Sequence, residues 1–265
     1  MTASILVTGG TGTLGRPAAQ RLSEAGASVT VLSRHPRETA KGIHYMAGDL
    51  STGEGIPAAV RGAEVIVHCA GAPSWRKDQA MTASLIRAAR ELDREPHLVK
   101  ISVVGAGRIP VASPVDKAMF GYFEHMLTTE RAVQAAGLPW TILRATQFHD
   151  ALVIVARAMT RLPVVPVASG VRFQPVDTED VGDRLAELAL GEPAGLVPDL
   201  AGPKAYPMAD LIRGYLRATG KRRLLMPMLL PGKAARAVRG GGNLPAGNAA
   251  IGHRSWEDFL RGQKF

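Results

Sequence analysis

The sequence predicts an α/β fold, a doubly wound parallel sheet with a small C-terminal cap on the substrate side. Three observations carry that reading. Short β-branched runs alternate with helical stretches over the first 105 residues, a glycine-rich turn follows the first run directly, and the regular order loosens only after residue 191.

Strands are expected at 4–7, 28–33, 43–46, 65–68 and 98–103, each bounded by Gly, Pro or polar residues. Between them, 16–25, 56–60 and 79–91 carry Ala, Leu, Arg and Glu in helical proportions. Strand alternating with helix implies βαβ units with right-handed crossovers, and the near-continuous apolar strands fit a sheet covered on both faces. A long helix at 116–136 ends at Gly137 and Pro139, and a sixth strand follows at 140–144. Residues 151–160 are apolar-periodic and 171–176 are strand-like, while 178–190 opens on Thr178 as a cap with Glu179 and Asp180 in its first turn. Helices at 208–219 and 255–262 complete the chain. The expected organisation is a dinucleotide-binding core over 1–150, with 151–265 adding the remaining sheet and helix elements and the cap in the same compact unit. Open α/β sheets bind ligands outside the carboxyl ends of their strands, which puts the cap beside the ligand.

Composition narrows the class of protein. With 46% apolar and 21% charged residues the chain is neither disordered nor collagen-like nor a coiled coil. No run approaches the roughly 18–20 apolar residues of a membrane span, and residues 1–10 lack a signal-peptide pattern, so a cytoplasmic protein without a membrane partner is expected. The single cysteine, Cys69, forms no intramolecular disulfide, and no spacing suggests a metal site. Much of the net charge of +9 lies between Lys204 and Arg239, where nine basic residues face one acid. A basic surface attracts dinucleotides and acidic metabolites as readily as nucleic acid, and no nucleic-acid motif accompanies it. A small-molecule partner is expected, no nucleic acid, and the oligomeric state is left open.

The turn reads Val7-Thr8-Gly9-Gly10-Thr11-Gly12-Thr13-Leu14-Gly15. Glycines at 9, 12 and 15 serve a tight turn, backbone approach to a pyrophosphate and close helix–strand packing, so Gly9, Thr11, Gly12, Thr13, Leu14 and Gly15 are the expected phosphate cradle of a Rossmann-type site. At the end of the second strand, where an acid would hold a free ribose 2′-OH, the chain has Ser33 and Arg34, the latter nineteen residues after Gly15. A guanidinium with a neighbouring hydroxyl suits a 2′-phosphate, so NADP(H) is the expected cofactor. Asp49, with Leu50 beside it, either meets the adenine amino group or caps its own turn.

Together with Gly48-Asp49-Leu50, His68-Cys69-Ala70-Gly71 and the run from Trp140 to Phe148, the turn resembles the short-chain dehydrogenase/reductase superfamily, and within it the atypical, NmrA-like branch. The resemblance implies that Ala70 and Gly71 line the cofactor and that Gln147 and Phe148 lie near the nicotinamide. It also implies a catalytic Ser and a Tyr-x-x-x-Lys. Ser102 and Tyr122 match the first two, but Met126 stands where the lysine belongs. A thioether neither holds a ribose nor lowers a phenol pKa. That exchange disfavours alcohol oxidation, which needs a base, more than carbonyl reduction, which needs the acid a neutral phenol already is. Alternatively, Met119, Tyr122, Met126 and Val133 form a packing stripe. Ser102 either orients a carbonyl or satisfies a strand end. Lys100 is expected to snorkel from a sheet edge, His125 and His149 to be solvated or core residues, and Cys69 not to be a nucleophile.

The expected activity is an NADPH-dependent reductase, a ketoreductase, acting on a bulky aromatic or polyketide-type molecule. Trp75, Met119, Phe120, Phe123, Phe148 and Phe173 would wall the pocket. The alternative is a non-catalytic NADP(H)-sensing regulatory protein, which the missing lysine favours.

Overall fold

The computed structural model describes residues 2–35, 37–72 and 74–265. Its elements are β1 (Ser4–Thr8), α1 (Gly15–Glu24), β2 (Ser28–Ser33), β3 (Ile43–Ala47), α2 (Ile56–Val60), β4 (Val65–His68), α3 (Trp75–Arg90), β5 (His97–Val103), α4 (Pro114–Gln134), β6 (Trp140–Ala145), α5 (His149–Met159), β7 (Val164–Ala168), β8 (Arg172–Phe173), α6 (Thr178–Leu190), β9 (Gly195–Leu196), β10 (Leu200–Ala201), β11 (Tyr206–Pro207), α7 (Met208–Ala218), β12 (Leu224–Met228), α8 (Lys233–Arg239), β13 (Ala250–Ile251) and α9 (Trp256–Arg261). They form two compact units. The first comprises the chain up to Ser102 with His125–Leu143 and Val181–Val197, and the second comprises Val103–Glu124, Arg144–Asp180 and Pro198–Phe265.

The expected doubly wound sheet organises the first unit. Strand order runs β6-β5-β4-β1-β2-β3, and the β5–β4, β4–β1, β1–β2 and β2–β3 pairs are parallel. Because β2 and β3 lie to one side of β1 and β4 and β5 to the other, the order reverses between β1 and β4, the place where such sheets open a crevice. β4 is buried along its whole length, as a central strand covered on both faces should be. Leu6, Ile66, Leu85, Leu98, Val133 and Ile142 belong to one core beneath the sheet.

In the second unit, Tyr215, Trp256 and Phe259 form a core with Val165 and Leu211. His149 is fully buried and stacks on Phe259 at 4.8 Å, which is the core role open to it. Ser255 caps α9 by accepting the Asp258 N–H at 3.1 Å. A smaller cluster joins Ile109, Val171, Ala234 and Val238, with Phe120, Phe123 and Phe173 packed on it.

Several expectations need correction. The cap of α6 is Asp177, whose Oδ1 accepts the Glu179 N–H at 3.0 Å, while Thr178 turns its hydroxyl to Asp150. A parallel two-stranded sheet of β7 and β12 was not expected, since Pro166 and Pro227 sit inside it. In a two-stranded sheet both strands are edges, where a missing N–H is tolerated. α3 starts at Trp75, four residues ahead of the expected 79, and α4 starts at Pro114, two residues ahead of the expected 116. Lys100 is not an edge lysine. β5 lies between β4 and β6, so no edge is near, and Lys100 is 2% exposed.

The basic stretch is partly used within the fold. Lys204 pairs with Glu257 at 3.7 Å, Arg213 with Asp210 at 2.6 Å, and Arg223 donates to the Thr160 carbonyl at 3.1 Å. Among the described residues no helix is long and apolar enough to cross a membrane.

One pH response follows from Asp177. Burial would raise its carboxyl, but His149, the Glu179 N–H and the Arg254 guanidinium at 3.1 Å together hold it down to about 2. A folded pKa below the ordinary 3.8 contributes stability above that value, and the contribution is lost as pH falls toward 2. The loss should reach about 2 kcal/mol, and urea unfolding at pH 5 and pH 2 of the wild type and Asp177→Asn checks it: the variant should lack this share of the acid sensitivity.

Candidate functional site: a dinucleotide cleft

In the first unit a cleft of about 430 Å³ opens over the carboxyl ends of β1, β2, β3 and β4, across the point where the strand order reverses. Gly9, Thr11 and Gly12 line it after β1, Leu32, Ser33 and Arg34 at the end of β2, residues 48–50 after β3, residues 69–72 after β4, and Lys77 and Met81 from α3.

Steric demands separate the three glycines. Gly9 has φ +72°, and a Cβ there would stand 2.6 Å from the Ala70 nitrogen. A Cβ on Gly15 would stand 2.2 Å from the Gly9 carbonyl oxygen, so both positions are dictated by the close turn itself. At Gly12 the nearest atom would be that same oxygen at 3.2 Å, tight but not barred, which leaves approach of a ligand as the main reason for glycine. Leu14 begins α1 without a side-chain cap, and among the described residues no acceptor takes the Thr13 and Leu14 amides. Unclaimed donors at the positive end of a helix dipole are what a pyrophosphate needs, so the residues present fit a dinucleotide.

At the far end of the cleft, Arg34 is exposed and, among the described residues, has neither an ion-pair partner nor a hydrogen-bond acceptor. Ser33 is turned inward. Its hydroxyl donates to the His35 carbonyl at 2.8 Å, so the proton expected beside Arg34 closes a local turn instead. Asp49 caps its own turn: Oδ1 accepts the Ser51 N–H and hydroxyl, each at 2.7 Å, which holds the carboxyl below its usual range with help from Arg34 and Lys77. Oδ2 accepts no hydrogen bond among the described residues, and Asp49 lines the cleft.

The remaining residues lie elsewhere. Ser102 is buried in the first unit and donates to Glu130 Oε1 at 2.5 Å, so its one proton serves α4. Gln147 and Phe148 follow β6 in the second unit, where Gln147 and Val176 share a backbone bond of 3.1 Å. Tyr122 is in the second unit on α4, 58% exposed and edge-on to Phe123 at 6.2 Å. Met119 is also exposed while Met126 and Val133 are buried, so the four do not form one packed stripe.

A buried polar cluster that the sequence did not suggest lies in the first unit. Asp78 Oδ1 accepts the N–H of Ala72, a cleft residue, at 2.9 Å, and Oδ2 takes His125 Nε2 at 2.8 Å. His125 is thus a core residue with an acidic partner 47 positions away. Burial would raise the Asp78 carboxyl, but His125 and Lys100 hold it below its usual range. Desolvation lowers Lys100 in turn, opposed by Asp78 and Glu130. His68 accepts or donates between Thr8 at 2.7 Å and Thr82 at 3.1 Å, and burial keeps it neutral. Desolvation pushes the Cys69 thiol up to about 12, so it is no nucleophile at neutral pH. Asp78 and Lys77 escaped notice because the start of α3 was expected after them.

Fold and cleft together define a doubly wound α/β protein with a cleft that fits a dinucleotide at the switch point of its sheet. The chain belongs to the NAD(P)H-binding family, whose sequence profile matches residues 9–191. It is 29% identical over 147 residues to (4-alkanoyl-5-oxo-2,5-dihydrofuran-3-yl)methyl phosphate reductase of Streptomyces griseus, covering 54% of this chain and 48% of that protein. It is 27% identical over 225 residues to NAD(P)H azoreductase of Xenophilus azovorans, covering 82% and 74%. The match thus spans about half the length of the first relative. In fold it is similar to an NADPH-dependent quinone oxidoreductase of Escherichia coli, with a TM-score of 0.77 at 17% identity over 97% of this chain and 98% of that one.

Proposed function

We propose that the protein is an NADPH-dependent reductase that converts a carbonyl on a bulky, aromatic or polyketide-type molecule to an alcohol. The observation that carries this reading is the cleft at the switch point, with Arg34, unpaired among the described residues, at the end of β2 where a carboxylate would select NAD(H). Two relatives bear the names of reductases, which supports the direction of the chemistry.

When bound, the reduced nicotinamide supplies the hydride. The chain's share is to orient, exclude water and deliver a proton. Tyr122 is the proposed acid: its side chain is exposed, and a neutral phenol donates without a neighbouring lysine. Phe120, Phe123 and Phe173, packed on one apolar cluster, are the proposed wall for a flat substrate. The buried Met126 keeps the sensor reading as the alternative.

Titration with NADPH and NADH, followed by a panel of bulky aromatic ketones while the reduced-nicotinamide absorbance is watched, tests both. Tight NADPH binding with ketone-dependent oxidation is expected, and Arg34→Ala should weaken NADPH about tenfold or more while sparing NADH. Binding without turnover across the panel would shift the reading to the sensor, and equal losses for the two cofactors would remove the role of Arg34.

A further inference from the structure

Resting on the NADPH reading, we infer that Lys77 is a second reader of the 2′-phosphate, forming with Arg34 a two-cation site around Asp49. No sequence pattern pointed to Lys77, and the hydroxyl expected to assist Arg34, that of Ser33, is occupied by the His35 carbonyl.

The charge balance of the cleft requires a second cation. A phosphomonoester carries close to two negative charges at neutral pH. Arg34 is offset by the Asp49 carboxylate, which lines the same cleft, and the two formal charges sum to zero. That arrangement leaves a dianion with less compensating charge than it carries. Lys77, lining the same cleft from the first turn of α3, makes the sum positive.

The position of Lys77 supports a ligand rather than a structural role. Like Arg34, it is exposed and has no ion-pair partner or hydrogen-bond acceptor among the described residues. It sits in the first turn of α3 beside Asp78, whose carboxylate is already taken by the Ala72 N–H and by His125. Lys77 lines one cleft with Arg34 and Asp49, and both cations act to lower the Asp49 carboxyl. Asp49 thereby opposes the phosphate, and removing its charge should favour NADPH.

The test is calorimetric titration of the full-length wild type, Lys77→Gln and Asp49→Asn with NADPH, NADH, 2′,5′-ADP and 5′-AMP. Lys77→Gln should weaken NADPH and 2′,5′-ADP about tenfold and leave NADH and 5′-AMP within twofold. Asp49→Asn keeps an acceptor for the Ser51 N–H and should raise the NADPH-to-NADH affinity ratio several-fold. Equal weakening of all four ligands by Lys77→Gln would assign Lys77 to the shared phosphates, and no change would make it a solvated surface residue; either overturns the inference while leaving the NADPH reading intact. A wild type that does not prefer NADPH to NADH would overturn both.

Discussion

Tyr122→Phe is expected to lower ketone-dependent turnover by a factor on the order of 10²–10⁴ with little change in NADPH affinity. The size follows from the chemistry: hydride delivery to a carbonyl leaves a developing alkoxide that needs a proton in the transition state, and phenylalanine has none to give. Exposure makes the experiment clean. A side chain 58% accessible contributes little to packing, so the variant should fold as the wild type does and the lost rate can be read as lost proton transfer. With Met126 in place of a lysine, no cation four residues along the helix stabilises the phenolate. The reverse reaction, which needs that phenolate, should therefore be slower at neutral pH than reduction, which needs the phenol. Unchanged turnover in Tyr122→Phe would remove the phenol from the mechanism.

Asp78→Ala should destabilise the fold by about 3–5 kcal/mol, the cost of taking one partner out of a buried, charged hydrogen-bonded group. The Ala72 N–H and His125 Nε2 would lose their shared acceptor, and Lys100 would lose one of two carboxylates that oppose its desolvation. Because Ala72 lines the cleft, the damage should extend to the cofactor: NADPH should stabilise the variant less than it stabilises the wild type in urea unfolding. Asp78→Asn retains an acceptor for Ala72 and should recover part of the stability. A cost below about 1 kcal/mol for the alanine variant would show that Asp78 is a solvated helix residue after all.

The contrast between the two residues illustrates how far the sequence reaches. Tyr122 is legible because a helix brings residues four apart onto one face, so its relation to Met126 is already present in the spacing. The glycine turn is legible for the same reason: Gly9, Gly12 and Gly15, with a strand before them and a helix after, are one local structure, and the structure adds only which glycine meets which atom. Alternation of strand and helix likewise suffices for the doubly wound class.

Asp78 and His125 are 47 residues apart and Ser102 and Glu130 are 28 apart, and no periodicity links them. Each looks like a surface residue until the sheet order places β5 between β4 and β6 and buries what faces the helices. The same ordering buries Lys100, which by composition alone should reach water. β7 and β12 were hidden by their prolines, since a proline counts against a strand unless the strand proves to be an edge, and that depends on the partner 60 residues away. Local backbone chemistry thus settles the fold class and the shape of the glycine turn. Strand order and long-range pairing settle which polar groups are buried together, because the free energy of a charge depends on its neighbours in space and on the water they exclude.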